Sequence, residues 1–347
     1  QLDRDLRIAL SEYAPSSEIV AAGKLWTSRY IKPVPTKTWE RYRYAICPVC
    51  KAFHRKRVVE LAKFDNPFYK CEVCNSNIGN HVGDYIVPSF GFIASTNTPK
   101  DPGEIRPEKT YTTRVYYSGQ GQDVEGTSLQ LFDVNLYATP ASHGKLVVIN
   151  SGGGRGFKVC YNCGYTLLGG EKTEDKHKTN LSRDCFGKLY GNLSLGHEFE
   201  TDIIKLYFDG YGDAREGFWL SILYALLEGA CEALQIERQD LDGCLYPTAG
   251  DINRPALILF DDVPGGAGHV RRMGDKRILL DVLYTTLERL QRCECGGTDK
   301  DASCYGCLRH YHNQFCHDIL NRGLVIRFLE HILNVDSDKL THTEYSM

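Results

Sequence analysis

Cysteines dominate the residues of this chain that could do chemistry. Eleven of its fourteen cysteines fall into three groups, and most of the eleven belong to C-x-x-C pairs. Each such pair is a short turn that directs two thiolates at one point, and four such ligands satisfy tetrahedral zinc. The spacing therefore predicts about three zinc ions, with the ligand sets Cys47, Cys50, Cys71 and Cys74; Cys160, Cys163, His177 and Cys185; and Cys293, Cys295, Cys304 and Cys307.

The three groups differ in how completely the sequence defines them. In the first, twenty residues separate Cys50 from Cys71, which is enough for the hairpin of a zinc ribbon, predicted over residues 46–90. The second has three cysteines, and His177 is proposed as its fourth ligand from its position alone. The remaining cysteines lie in apolar or helical contexts and are predicted to be small buried hydrophobic residues. They are Cys231, Cys244 and Cys316.

Two other uses of the cysteines have to be weighed against zinc. Disulfides require an oxidising compartment, but the sequence has no signal-like segment and no apolar run long enough to span a bilayer. We therefore expect a cytoplasmic protein without membrane contact. Iron–sulfur clusters also accept four thiolates and remain an open alternative. Zinc is favoured because the C-x-x-C pairs are matched and far apart.

A basic, aromatic stretch precedes and overlaps the first cysteine group. Residues 24–63 contain eleven lysines and arginines against two glutamates, although the whole chain has a formal net charge of −3. Such a stretch can bind phosphates and stack on bases, so we expect contact with nucleic acid. A strand face with core aromatics, or an interface for a partner protein, remains an alternative. The predicted nucleic-acid contacts are Lys37, Trp39, Arg41, Tyr42, Arg43, Arg55, Lys56 and Arg57.

Hydrophobic patterning predicts a mixed α/β or α+β fold in which a zinc ribbon and a β-rich N-terminal half precede an α/β domain. In the second half it predicts a strand over 200–208, a buried helix over 217–236, an interior strand over 255–260 and a helix over 270–292. The predicted segments are a linker from an upstream domain (1–45), the ribbon (46–90), a β-rich segment (91–150), a zinc-stabilised α/β domain (151–335) and a flexible tail (336–347).

A glycine-rich turn joins the interior strand to the following helix, over residues 261–269. Backbone N–H groups at such a turn can bind phosphate, but the same sequence also suits a tight turn capped by Asp261 or Asp262. A metal-dependent nuclease site built from Asp261, Asp262 and His269 is a further alternative. The chain has no Walker A, H-E-x-x-H or G-x-S-x-G motif, so we expect no ATPase activity of its own and structural zinc sites.

Several motifs together resemble the C-terminal zinc-binding domain of large bacterial superfamily 2 DNA helicases. They are VCYNCGYTLLGG (159–170), LGHEFETDI (195–203), LFDDVPGGAGHV (259–270) and RCECGGTDKDASCYGCLRHYHNQFCHDILNR (292–322). Relatives of this type include mitomycin-repair helicases and a component of the DISARM phage-defence system. The resemblance covers residues 150–333. It implies that Cys293, Cys295, Cys304 and Cys307 bind one zinc, and that Cys160, Cys163 and Cys185 match a second set.

By the same resemblance, the ATP-hydrolysing motor domains lie upstream of Gln1. The chain is then expected to be the non-catalytic zinc-binding region of a DNA helicase or translocase. Its expected partners are single-stranded or unwound DNA, the motor domains and proteins of DNA repair or phage defence.

Overall fold

The computed structural model divides the chain into two compact units, each discontinuous in sequence. Unit 1 comprises Gln1–Val115 and Val147–Phe199, and unit 2 comprises Tyr116–Leu146 and Glu200–Met347. The structure describes residues 2–34, 36–58, 67–97, 99–103, 113–119, 122–123, 125–172, 176–249, 251–298 and 300–334. The tail predicted over 336–347 lies outside the described residues, and the five-segment division stays a prediction.

The described elements are mostly strands, two of them long, together with a few helices. The helices are α1 (Leu6–Glu12), α2 (Phe218–Leu234), α3 (Lys276–Arg292) and α4 (Arg322–Leu333). The strands are β1 (Glu18–Ala21), β2 (Lys24–Ile31), β3 (Arg41–Ile46), β4 (Phe53–Arg57), β5 (Val82–Ile86), β6 (Phe92–Ala94), β7 (Arg114–Tyr117), β8 (Gln122–Asp123), β9 (Thr127–Gln130), β10 (Asn135–Asn150), β11 (Phe157–Cys160), β12 (Thr166–Leu168), β13 (His177–Lys178), β14 (Asp184–Cys185), β15 (Leu189–Asp209), β16 (Leu241–Thr248) and β17 (Asp251–Asp261).

Unit 1 is built from sheets. Strands β1, β2 and β6 form one small antiparallel sheet, and β12, β11, β15, β5, β3 and β4 follow one another in a second sheet. The core between these strands includes Ile31, Ile86, Phe157 and Leu193. The first cysteine group has a small core of its own, in which its cysteines pack with Phe68 and Ile78. The cysteines of the first group thus belong to a cluster separate from the larger core of this unit.

Unit 2 packs helices on an antiparallel sheet. Strand β17 pairs with β16 on one side and with residues 203–206 of β15 on the other. Helix α2 is buried on almost all sides because it contacts β16, β17, α3 and α4. These elements confirm the predicted strand at 200–208, the buried helix and the interior strand. The mixed fold class predicted from the sequence is confirmed as well.

The helix predicted over 270–292 is interrupted near its start. Residues Val270–Gly274 form a 3-10 helix, and α3 begins only after Asp275. The Asp275 carboxylate accepts hydrogen bonds from the N–H groups of Arg277 (2.8 Å) and Ile278 (3.3 Å), which is N-cap geometry. This cap starts a new helix where the hydrophobic pattern indicated a continuous one. None of the described helices is long and apolar enough to cross a membrane.

Candidate metal centres

Three of the C-x-x-C pairs fold into the same turn. In each, the N–H of the first cysteine donates to the carbonyl five residues on, as Cys47 does to Ala52 at 2.9 Å. The residue after the second cysteine then donates back to the first cysteine's carbonyl. That residue takes a positive φ in all three turns, at Lys51 (63°), Asn75 (58°) and Gly164 (78°). Local sequence thus directs both sulfurs of each pair to one side.

The first group brings its four predicted ligands together in unit 1. The Cys47 and Cys74 sulfurs are 3.6 Å apart, and those of Cys50 and Cys71 are 3.5 Å apart. All four ligand atoms lie within 4.8 Å of one another. Tetrahedral zinc with bonds of about 2.3 Å separates its sulfurs by about 3.8 Å. The arrangement therefore fits one zinc ion.

Neighbouring polar groups contact the sulfurs of the first group. The Ser76 hydroxyl lies 3.2 Å from the Cys47 sulfur and 2.9 Å from that of Cys74, and this hydrogen bond lowers the pKa of Cys74 to about 6. Nε2 of the buried His54 lies 3.3 Å from the Cys71 sulfur. Burial raises the pKa of Cys50. A bound zinc ion would hold all four groups as thiolates, and Ser76 and His54 would orient two of them.

The second group places His177 with three cysteines, where the sequence predicted it. Its Nε2 lies 3.2 Å from the Cys163 sulfur, and the Cys160 and Cys185 sulfurs are 3.8 Å apart. Residues 177 and 185 face each other in the β13–β14 hairpin. The buried imidazole stacks on Tyr165 with 4.7 Å between ring centroids. Three sulfurs and one imidazole nitrogen are a ligand set that zinc accepts.

The third group lies in unit 2 at the end of α3. The Cys293 and Cys304 sulfurs are 3.6 Å apart, and those of Cys295 and Cys307 are 3.8 Å apart. The fully buried Arg322, at the start of α4, donates to the carbonyls of Leu290 (2.9 Å) and Cys295 (2.6 Å). This arginine thereby joins two helices to the backbone of the metal group.

The other three cysteines are buried and separate from these groups. Burial raises the pKa of Cys231 and of Cys244 to about 12, so both are neutral thiols at physiological pH. Cys316 is also buried. All fourteen cysteines, each within the described part of the chain, are free of disulfides. The prediction that these three are small buried residues is confirmed.

The glycine-rich turn binds the protein's own carboxylates. Asp261 is fully buried and accepts hydrogen bonds from the N–H groups of Ala267 (2.6 Å), His269 (3.0 Å) and Val270 (3.0 Å). The Gly268 N–H donates to Asp202 at 3.1 Å. Because these donors are already satisfied, the phosphate-cradle alternative is wrong, and the turn capped by Asp261 is what the structure contains.

The geometry of the described residues gives no support to the nuclease alternative of Asp261, Asp262 and His269. A catalytic metal needs ligand atoms that are free to bind it and an open coordination position. The oxygens of Asp261 are instead occupied by backbone N–H groups, and this trio forms no metal-ligand group within the described residues.

The four arginines of the predicted DNA surface are paired with carboxylates. Arg41 and Arg43 both bind Asp84, Arg55 binds Glu198, and Arg57 binds Glu40 at 2.9 Å. These ion pairs offset part of the positive charge that residues 24–63 carry. Lys37 and Lys56 are exposed.

The two aromatic residues of the predicted DNA surface also contact other parts of the protein. Trp39 is buried in the core of unit 1, and its indole N–H donates to the Lys32 carbonyl, so its assignment to a stacking surface is corrected. Tyr42 stacks on Tyr85 at 5.1 Å between centroids, and the Arg55 guanidinium lies over its ring. The Trp39 ring is therefore not available to a base, and the Tyr42 ring already has one aromatic and one cationic partner.

The third metal group lies within a stretch that matches a known protein family. Residues 222–308 match the family model of the MrfA Zn-binding domain. This range contains most of α2, the whole of α3 and all four cysteines of the third group. The predicted resemblance to a helicase-associated zinc-binding domain is confirmed, and the three groups fit about three zinc ions.

One relative spans nearly all of this chain. It is the Druantia protein DruE of Escherichia coli (strain UMEA 4076-1), 27% identical over 382 aligned positions, which cover 96% of this chain and 19% of DruE. The chain thus spans about a fifth of the length of that relative.

Two solved structures are also similar, both of the DUF1998 helicase MrfA. With MrfA bound to DNA, the TM-score is 0.35 at 14% identity, over 64% of this chain and 26% of MrfA. With MrfA bound to DNA and AMPPNP, the TM-score is 0.29 at 12% identity, over 64% of this chain and 23% of MrfA.

Proposed function

We propose that this chain is the zinc-stabilised, non-catalytic DNA-binding region of a helicase or translocase. The observation that carries this proposal is the match of residues 222–308 to the Zn-binding domain of MrfA, itself a helicase. DruE, a second relative, is far longer than this chain, which leaves room for motor domains elsewhere in such a protein. The protein then works in the cytoplasm, in DNA repair or in phage defence.

The zinc sites act as structural supports in this proposal. Each has four protein ligands, which leaves no open position for substrate or water. A structural zinc can contribute about 10–16 kcal/mol of apparent binding free energy to folding. The ions therefore fix the turns between short strands, and the protein surface around them contacts DNA.

DNA contact through the basic stretch depends on the residues that stay exposed. Lys37, Lys56 and Arg57 are exposed, and of these Arg57 is paired with Glu40. Phosphate contacts of this kind are independent of sequence, which suits a motor that moves along any DNA.

The test is binding of the full chain to an oligothymidylate at several salt concentrations. We expect binding that weakens steeply with salt, and a weaker salt dependence when Lys37, Lys56 and Arg57 are changed together to Gln. A matched control changes Lys188, Lys205 and Lys276 to Gln, which removes the same charge elsewhere. Absent or salt-insensitive binding would contradict the proposal.

A protein-interaction module is the second candidate. Three large aromatic side chains near the third metal group, Tyr305, Tyr311 and Phe315, are exposed. Aromatic residues are enriched in protein interfaces. If the chain does not bind DNA, its complex with the motor domains should be measured instead. This candidate would be favoured if the complex is lost when Tyr305 and Tyr311 are changed to Ser.

A further inference from the structure

A groove of about 840 Å³ lies in unit 1 beside the second metal group. Trp26 and Arg29 of β2 line one part of it, and Lys176 and Lys178 line another. Strand β2 is joined to the metal group directly, since the Ile31 N–H donates to the carbonyl of Gly164 at 2.9 Å. None of these lining residues was among the DNA contacts predicted from the sequence.

The described lining of this groove has excess positive charge. Five cationic side chains and two carboxylates line it. Glu171 binds Arg29 at 2.7 Å, and Asp184 lies between Lys176 and Lys178. Within the described part of the chain, the exposed Lys100 and Lys172 form no ion pair, so the two carboxylates do not balance the cations.

Aromatic rings accompany these cations. Trp26 is half-buried, and its indole N–H donates to the Ala21 carbonyl at 3.1 Å, which fixes the ring at the groove. The Tyr165 ring also lines the groove and is held by its stacking on His177. Fixed aromatic rings beside unpaired lysines are the combination by which proteins bind single strands, since every base offers a face to stack.

We infer that this groove binds single-stranded DNA, with phosphates at Lys100 and Lys172 and a base on Trp26. The inference rests on the proposed DNA-binding function and gives it a definite site.

It also gives the second metal group a role. Lys176 and Lys178 flank the ligand His177, and Asp184 precedes the ligand Cys185. The metal group thus fixes the hairpin that carries one charged wall of the groove.

The fluorescence of Trp26 provides a test specific to this site. The other two tryptophans, Trp39 and Trp219, are 8% and 6% exposed, so quenching by DNA should report mainly on Trp26. The probe is an oligothymidylate about 12 nucleotides long, added to the full chain, with binding followed in parallel by anisotropy of a labelled strand. We expect binding to quench the tryptophan emission in the unmodified chain.

Three variants separate stacking from charge. Trp26→Phe should abolish most of the quenching and keep the affinity, because a ring remains. Trp26→Ala should weaken binding about 5-fold to 100-fold. The pair Lys100→Gln and Lys172→Gln should reduce the slope of log affinity against log salt by about 0.7 for each lysine that contacts a phosphate. The control pair Lys188→Gln and Lys276→Gln should not change it.

The outcomes distinguish this inference from the function on which it rests. DNA binding could cause no quenching and could stay unchanged in Trp26→Ala and in the pair Lys100→Gln and Lys172→Gln. That result would show that the groove is not the DNA-binding site, while the proposed DNA-binding function stands. An equal response to polyglutamate would also overturn it, because the groove would then bind acidic chains in general. No binding of DNA in any form of the chain would overturn both.

Discussion

At the residue scale, each metal group depends on side chains that are not themselves ligands. Ser76 and His54 contact sulfurs of the first group, Tyr165 stacks on the ligand of the second, and Arg322 holds the backbone of the third. Such groups orient metal ligands and tune their affinity. Ser76 and Tyr165 close the turns of their own C-x-x-C pairs, whereas His54 and Arg322 come from other segments, which cysteine spacing alone does not reveal.

The ligand His177 gives a direct prediction. His177→Gln removes the nitrogen that completes the second group, so elemental analysis should find about two zinc ions per chain where the unmodified chain has about three. His331→Gln is the matched control, because His331 is an exposed histidine bonded to Asp133. Equal zinc content in the two variants would show that His177 is not a ligand.

Asp261 gives a second prediction at this scale. Asp261→Ala would leave three backbone N–H groups without their acceptor, so the free energy of unfolding should fall by about 3 kcal/mol or more. Urea denaturation measures this. Asp281→Ala, on the exposed side of α3, should change it by no more than about 0.5 kcal/mol. Comparable small losses in both variants would contradict the capping role of Asp261.

At the element scale, the third metal group rests on close packing of α2 against α3. An added Cβ at Gly229 in α2 would lie 1.9 Å from the Thr286 hydroxyl and 2.8 Å from its Cα. Thr286 is fully buried in α3. The helices can therefore approach this closely only because residue 229 has no side chain.

Gly229→Ala should lower the free energy of unfolding by about 1–3 kcal/mol, because the helices must move apart. Helix propensity alone would make alanine about 1 kcal/mol more favourable than glycine at this position. A loss of stability would therefore show that the clash with Thr286 outweighs this gain. Gly212→Ala is the control, as its nearest neighbouring atom would be 3.9 Å away. Unchanged or higher stability of Gly229→Ala in thermal denaturation would contradict this packing.

Local patterns account for what the sequence predicted at this scale. The turns of the C-x-x-C pairs, the apolar helix α2 and the strand β17 each depend on residues close in sequence, and the structure contains them. The neutralised arginines depend on Asp84 and Glu198, which pairing of distant strands brings to them. Trp39 was misassigned for the same reason, since its core partners are distant in sequence. Composition could not indicate those partners.

At the scale of the whole molecule, more of the metal groups lie in the unit that has the smaller hydrophobic core. Unit 1 consists mostly of strands with a divided core and holds two of the three groups, whereas unit 2 has a larger core of helices on a sheet and holds one. Zinc binding and folding are coupled in such small modules. Removal of zinc by a chelator should therefore destabilise the fold of unit 1 more than that of unit 2.

The most direct test of the account is the metal content of the intact chain, with zinc and iron measured together by elemental analysis. The account predicts about three zinc ions per chain and negligible iron, because three separate four-ligand groups are formed. A chain that contains iron with inorganic sulfide, or that folds fully without any metal, would contradict it.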